Sequence, residues 1–157
     1  MDICIKTYQR DDYKKLADIF YVSVHAICPN IYNEAQKNAW AKKPINYDFW
    51  EDRFLRTQPF CAFIENNCVG FIEFESNGHI DCLYVHPNYQ RQGIAYTLYK
   101  HIENQAQVKE LEKLFVEASI LAKPFFEKLN FCVTQKNEIK RDGEVLINFS
   151  MDRYLLY

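Results

Sequence analysis

Two hydrophobic periods alternate along this chain, and the switches between them mark its elements. Residues 3–8 run apolar and short and predict a first strand. From about Asp12 the apolar positions Leu16, Ile19, Phe20, Val24 and Ile27 recur at helical spacing, with Asp11 or Asp12 available as a cap and Pro29 as a stop. Residues 30–58 are less regular. They hold Tyr32, Trp40, Pro44 and Trp50 and predict short helices near 33–40 and 47–55.

Three strands follow, at 60–65, 68–75 and 79–85. Asn66-Asn67 predicts the first turn, and Asn77-Gly78 the second, because both residues of that pair tolerate positive φ. Strands joined by such short turns form an antiparallel meander. Beyond a loop at 86–92 the period changes again. Ile94, Leu98, Ile102 and Ala106 fall on one face of a helix reaching about residue 107, residues 113–118 predict a strand, and residues 121–129 a helix. The last strands, 131–136 and 144–152, are joined across Arg141-Asp142-Gly143. The strand–helix alternation requires parallel pairing or a crossover somewhere in the sheet. The fold class is therefore α/β, a mixed central sheet of six to seven strands flanked by helices, in one domain over 1–157.

Composition narrows the function classes. The chain has 157 residues and a formal charge of -2 without a basic stripe, which speaks against a nucleic-acid partner. No apolar run approaches the roughly 20 residues of a membrane span. Asp2, Lys6 and Arg10 interrupt the early apolar positions, so no leader is expected. Six Cys lack any zinc-like spacing or C-x-x-C pair, which argues against a metal site. They read as buried or partly buried free thiols of a reducing, cytoplasmic compartment.

The most informative segment is Leu83-Tyr84-Val85-His86-Pro87-Asn88-Tyr89-Gln90-Arg91-Gln92-Gly93-Ile94-Ala95. A strand ends, a loop turns, and a helix opens at a glycine. The first amides of such a helix lack internal acceptors and favour an anion. Gly93 and Ala95 are small enough for close approach, and Arg91 adds a cation. The segment is neither a Walker loop nor a dinucleotide fingerprint.

With Val85-His86-Pro87 before Gln90-x-x-Gly93-x-Ala95, and Ala122-x-x-Phe125-Phe126-x-x-x-Asn130-Phe131 farther on, the chain resembles the GNAT N-acetyltransferase superfamily over nearly its whole length. The resemblance implies acetyl-CoA as acetyl donor and a small-molecule or peptide amine as acceptor, and it leaves room for a homodimer. It implies that the fourth and fifth strands splay, that backbone at Leu83, Tyr84 and Val85 pairs with the pantetheine arm, and that Gln90, Arg91, Gln92, Gly93, Ile94 and Ala95 take the diphosphate. Ser119 stands where many members carry an Asn beside the CoA arm. Two departures matter: Phe126 replaces a tyrosine acid, and Asn130 replaces a glycine, although Asn tolerates the left-handed conformation.

Acetyl transfer needs a neutral amine and therefore a base. Strand alternation puts His79, Asp81 and Leu83 on one face, with Cys82 on the other. By resemblance the positions of His79 and Asp81 carry the catalytic group, so His79 is the first candidate, Asp81 the second, and Glu73 and Glu117 further ones. Each also reads as a solvated or structural polar residue. With no thiol on the reacting face, transfer is expected to be direct, in a ternary complex. For the acceptor, the resemblance points to His25, Tyr32 and Trp40, together with Trp50 and Phe149. A second reading, a CoA-binding sensor with little catalysis, rests on Phe126.

Overall fold

A computed structural model describes residues 2–156. Seven strands form one sheet in the order β1-β2-β3-β4-β5-β7-β6. These are β1 (Cys4–Thr7), β2 (Phe60–Ile64), β3 (Asn67–Phe74), β4 (His79–Val85), β5 (Lys113–Ser119), β6 (Cys132–Arg141) and β7 (Glu144–Tyr154). The helices are α1 (Tyr13–His25), α2 (Glu34–Trp40), α3 (Tyr47–Thr57), α4 (Ile94–Val108) and α5 (Lys123–Lys128). Every strand pair is antiparallel except β4–β5. This is the mixed sheet that the periodicity predicts, and no described helix is long and apolar enough to cross a membrane.

The sheet is covered on both faces. On one, Ile94, Leu98, Ile102 and Ala106 of α4 and Phe126 of α5 pack on Val69, Ile72, Ile80, Leu114 and Val116. On the other, Leu16, Ile19 and Phe20 of α1 and Trp50 and Phe54 of α3 pack on Cys61, Phe71 and Cys82. Short helices form where side chains cap them. Asn33 accepts from the Gln36 amide at 2.9 Å and opens α2, and Asn46 accepts from the Phe49 amide at 3.1 Å and opens α3. Asp12 caps no amide of α1; its carboxylate instead accepts from the Gln9 amide at 2.9 Å, closing a 3-10 turn before the helix.

Several boundaries differ from the sequence reading. The first hairpin turns at Glu65-Asn66, both with positive φ, rather than at Asn66-Asn67. In the second, Gly78 alone takes positive φ, at 99°, after a turn closed by Gly78 N–H to Glu75 C=O at 3.0 Å. β6 runs to Arg141, five residues past its predicted end at 136, because the tight Asp142-Gly143 turn pairs Arg141 directly with Glu144. Cys4, Cys28 and Cys132 are exposed, so the expected burial holds only for Cys61, Cys68 and Cys82. Asn130 adopts φ 68°, the conformation its glycine-like position needs.

The consequential difference lies in β4. Opposite β3 the register steps from Phe74↔Ile80 to Glu73↔Cys82, leaving Asp81 as an unpaired bulge residue. The bulge breaks the alternation on which the one-face reading of His79, Asp81 and Leu83 rests. Leu83 turns to the α4 side, whereas Cys82 joins Asp81 on the side of α1 and α3. A bulge bends its strand, and β4 pairs with β5 only at His79↔Phe115 and Ile80↔Val116. Past the bulge the two strands part.

Gly78 pins the closed end of that gap. Its carbonyl accepts from the Phe115 amide at 3.1 Å, and a Cβ there would stand 2.2 Å from the Lys113 carbonyl oxygen. Gly78→Ala combines left-handed strain with a backbone clash, so it should cost about 2–4 kcal/mol. Urea unfolding of the two proteins measures this, and a loss below about 0.5 kcal/mol would contradict the pinning role.

Candidate functional site

Past the bulge the parting strands open into a cleft of about 820 Å³. Its floor carries Asp81, Cys82 and Tyr84 of β4 and Glu117 and Ser119 of β5, and its walls include Phe20 and Tyr21 of α1, Trp40 of α2, Phe49, Trp50 and Arg53 of α3, and Asn148 of β7. The His86 amide donates to Val69 C=O at 2.8 Å, toward β3. Alternation in an antiparallel ladder then turns the amides of Leu83 and Val85 into the gap.

Two polar clusters stand at the floor, one around Arg53 and one around His79. Arg53 donates to both oxygens of Glu73 at 2.7–3.2 Å, to Asp81 Oδ2 at 2.8 Å, and lies 3.5 Å from Cys82 Sγ. Thr57 Oγ1 adds a bond to Glu73 at 2.7 Å. Glu73 is 1% exposed and fully satisfied, and it lies off the cleft, facing a smaller pocket of about 420 Å³. Hydrogen bonding to Glu73 raises the guanidinium pKa further, so Arg53 remains a fixed cation. Asp81 and Glu117 both open onto the cleft.

His79 does not line the cleft. It stands behind Glu117, with Nε2 2.7 Å from Glu117 Oε1, Nδ1 bonded to Glu75, and its ring stacked on Phe115 at 4.9 Å. Both nitrogens face carboxylates, which selects the imidazolium. Burial pulls the His79 pKa down, but the bonds to Glu75 and Glu117 and the field of Asp81 outweigh it, leaving the pKa above its ordinary value. Cys82 faces the cleft, contrary to the alternation argument. Burial and the Glu73 carboxylate push its thiol well up, so it stays protonated. Burial likewise pushes the Tyr84 hydroxyl well up.

At the far end, α4 opens at Gly93 with φ 83°, after Arg91 at φ 62°. A Cβ on Gly93 would meet nothing within 4 Å. Packing therefore leaves this glycine free on its outer side. The amides from Arg91 to Ala95 have no protein acceptor among the described residues. Gln90 Nε2 anchors the loop to Val85 C=O at 3.1 Å, tying it to the strand beside the gap. Ser119 lines the cleft and accepts from the Ala122 amide at 3.1 Å.

This geometry has close counterparts. A family model described as the acetyltransferase (GNAT) domain matches residues 28–153. The chain is 34% identical over 150 residues to the uncharacterized N-acetyltransferase YafP of Escherichia coli, covering 96% of this chain and 95% of that one. The chain belongs to the GNAT acetyltransferase family. Its fold matches a GCN5-related N-acetyltransferase from Rhodopseudomonas palustris at TM-score 0.92 and 30% identity, covering 99% of this chain and 97% of the other. It also matches the PaiA N-acetyltransferase of Thermoplasma acidophilum, solved in complex with coenzyme A, at TM-score 0.78 and 21% identity over 99% of this chain and all of that one. The protein is an N-acetyltransferase.

The cleft gathers some of the sequence candidates and not others. Asp81, Glu117, Ser119, Tyr32 and Trp40 line it, with Trp50. His25 lies outside; it bonds Ala41 C=O at 2.8 Å and stacks on Tyr21 at 4.2 Å, a bracing role for α1. Phe149 faces the α4 and α5 layer. Tyr32 donates to Ile147 C=O and accepts from the Ile120 amide, both at 3.1 Å, tying its loop to the end of β5. Phe126 is buried against Phe131 at 5.1 Å. Sequence reasoning missed Arg53, Phe49 and Phe20. A clue to Arg53 was its place three residues after Trp50, one helical turn on, where its guanidinium sits 5.6 Å over the indole.

A raised histidine pKa has a definite sign. The stabilisation from His79 is present below the ordinary value of about 6.5 and is lost as pH rises through the folded value. NMR titration of the four histidines should show His79 titrating above 6.5, and Glu75→Gln should move it down. A His79 value below 6.5 in the unmodified protein would contradict this network.

Proposed function

We propose that this protein transfers the acetyl group of acetyl-CoA directly to a primary amine in a ternary complex. The observation that carries the reading is the β4–β5 gap: a cleft floored by carboxylates opens at it, and Gln90 ties the loop before α4 to Val85 at the end of β4.

The chain fits the donor in charge and shape. The amides of Arg91, Gln92, Gly93, Ile94 and Ala95, with Gln90 fixing the loop, would hold a diphosphate over the helix start, and the open side of Gly93 gives it room. The backbone of Leu83 to Val85 and Ser119 would flank the pantetheine arm. Acetyl-CoA supplies an activated acyl carbon and a thiolate leaving group.

The remaining work falls to this chain's side chains. Glu117 is the group we assign as base, because it opens onto the cleft with His79 directly behind it. It takes the proton from the acceptor ammonium on the oxygen that His79 leaves free, while the His79 imidazolium, anchored by Glu75, holds the carboxylate in place. Asp81 lies beside it and helps to hold the ammonium. The Leu83 and Val85 amides face the gap as donors to the carbonyl oxygen. Tyr84, kept protonated by burial, can offer its hydroxyl as a hydrogen-bond donor to the leaving thiolate, which departs as the anion in the absence of a tyrosine at 126. A protonated Cys82 is a poor nucleophile, which favours direct transfer over an acyl-enzyme. The exposed free thiols of Cys4, Cys28 and Cys132 suit a reducing, cytoplasmic compartment.

Two outcomes test this. Calorimetry should detect CoA binding, and Gly93→Ala should raise Kd about tenfold or more while costing only ~1–2 kcal/mol of stability from the strained φ. Glu117→Gln should leave CoA affinity unchanged and lower kcat by about 10²–10⁴ in free-thiol release with a panel of primary amines. Absence of CoA binding in the unmodified protein would overturn the reading.

A further inference from the structure

The walls of the cleft carry more aromatic surface than amine chemistry alone requires. Phe20, Tyr21, Trp40, Phe49, Trp50 and Tyr84 all face it. Trp50 contacts Phe20 at 4.6 Å and Phe49 edge-on at 5.4 Å. Phe49 is 50% exposed at the rim, so half of its surface stays open beyond its contact with Trp50. The opening of about 820 Å³ exceeds what an amino group needs and leaves room for a ringed body beside the acetyl arm.

The floor has the opposite character. Two carboxylates, Asp81 and Glu117, open onto it, the first paired with Arg53 and the second with His79 behind it. Asp81 gives one oxygen to Arg53 and Glu117 one to His79, and the second oxygen of each has no protein partner among the described residues. The carboxylates of Asp81 and Glu117 are 41% and 44% exposed. At the mouth Lys42 is occupied by Asp142 at 3.3 Å, and Arg141 lies at the outer end on the β6–β7 turn. The cleft thus grades from aromatic walls to a floor that presents two carboxylates, each with one oxygen open.

We propose that the acceptor is a cationic primary amine on an aromatic body, its ring against Phe49 and Trp50 and its ammonium at the free oxygens of Asp81 and Glu117. This deepens the acetyltransferase reading and rests on it. A flat ring gains stacking that a saturated ring of equal size does not, worth about 2–10-fold in affinity. The ammonium gains charge-assisted bonds that an alcohol cannot match.

The chain provides its own probe, since its two tryptophans, Trp40 and Trp50, both line the cleft. With CoA present, tryptophan quenching should rank phenethylamine ahead of cyclohexylethylamine by at least ~3-fold and ahead of phenethyl alcohol by ~10-fold, with phenylpropionate weakest. Phe49→Ala, an exposed position, should erase the first gap, and Glu117→Gln should shrink the second. Equal affinities, a preference for the saturated ring or the acid, or no quenching by any of the four would overturn the proposal. Calorimetry with CoA on the same preparation separates the two failures. If CoA binds but the ranking fails, only the acceptor class falls. If CoA does not bind, the acetyltransferase reading falls whatever the ranking.

Discussion

The structure depends on one inserted residue. Asp81 has no partner across β3, and the bulge it makes bends β4 away from β5 after two paired residues. Had the ladder continued, the amides of Leu83 and Val85 would have closed onto β5 and the sheet would have no opening. The neighbouring strands hold the gap rigid. β4 is paired to β3 on its other edge, and β5 is paired to β7 from Lys113 to Ser119. Backbone polar groups are thereby left unsatisfied at a site that packing does not fill, a cost that a bound partner recovers.

The same bulge sets the chemistry. It turns both Asp81 and Cys82 toward α3, where Arg53 gathers Asp81 and Glu73 around one guanidinium. Glu73 is consumed as a structural counterion, fully buried and bonded on both oxygens. Asp81 and Glu117 each keep one oxygen without a protein partner among the described residues. Burial, which holds the proton on Cys82, holds the proton on the Tyr84 hydroxyl as well. A low-dielectric wall and a charged floor therefore divide the labour within a few residues of one strand.

Much of this was legible in the chain. Helical and strand periods gave every element of the sheet, Asp142-Gly143 gave its hairpin, and Asn130 took the left-handed conformation that a glycine-like position demands. The helix start at Gly93 was legible because the apolar helical face of Ile94, Leu98, Ile102 and Ala106 begins directly after it. The bulge was not, because an extra residue shows only against its partner strand, and Ile80-Asp81-Cys82 reads as ordinary alternation. Every face assignment past Asp81 therefore inverted, which is why Leu83 and Cys82 changed places. His79 was the first candidate base, and its engagement was hidden because its carboxylate partners, Glu75 just past β3 and Glu117 within β5, meet it only in the fold. His25 and Phe149 looked like acceptor residues by region alone, and local packing turned both elsewhere.

The central claim is that β4 past its bulge is an open edge that the donor's arm completes. Amide hydrogen exchange read residue by residue tests it most directly. In the free protein the Leu83 and Val85 amides should exchange fast while Tyr84, which faces β3, is protected, and saturating acetyl-CoA should slow the first two selectively. Protection of Leu83 and Val85 before any ligand is added, or no change on adding it, would contradict the account.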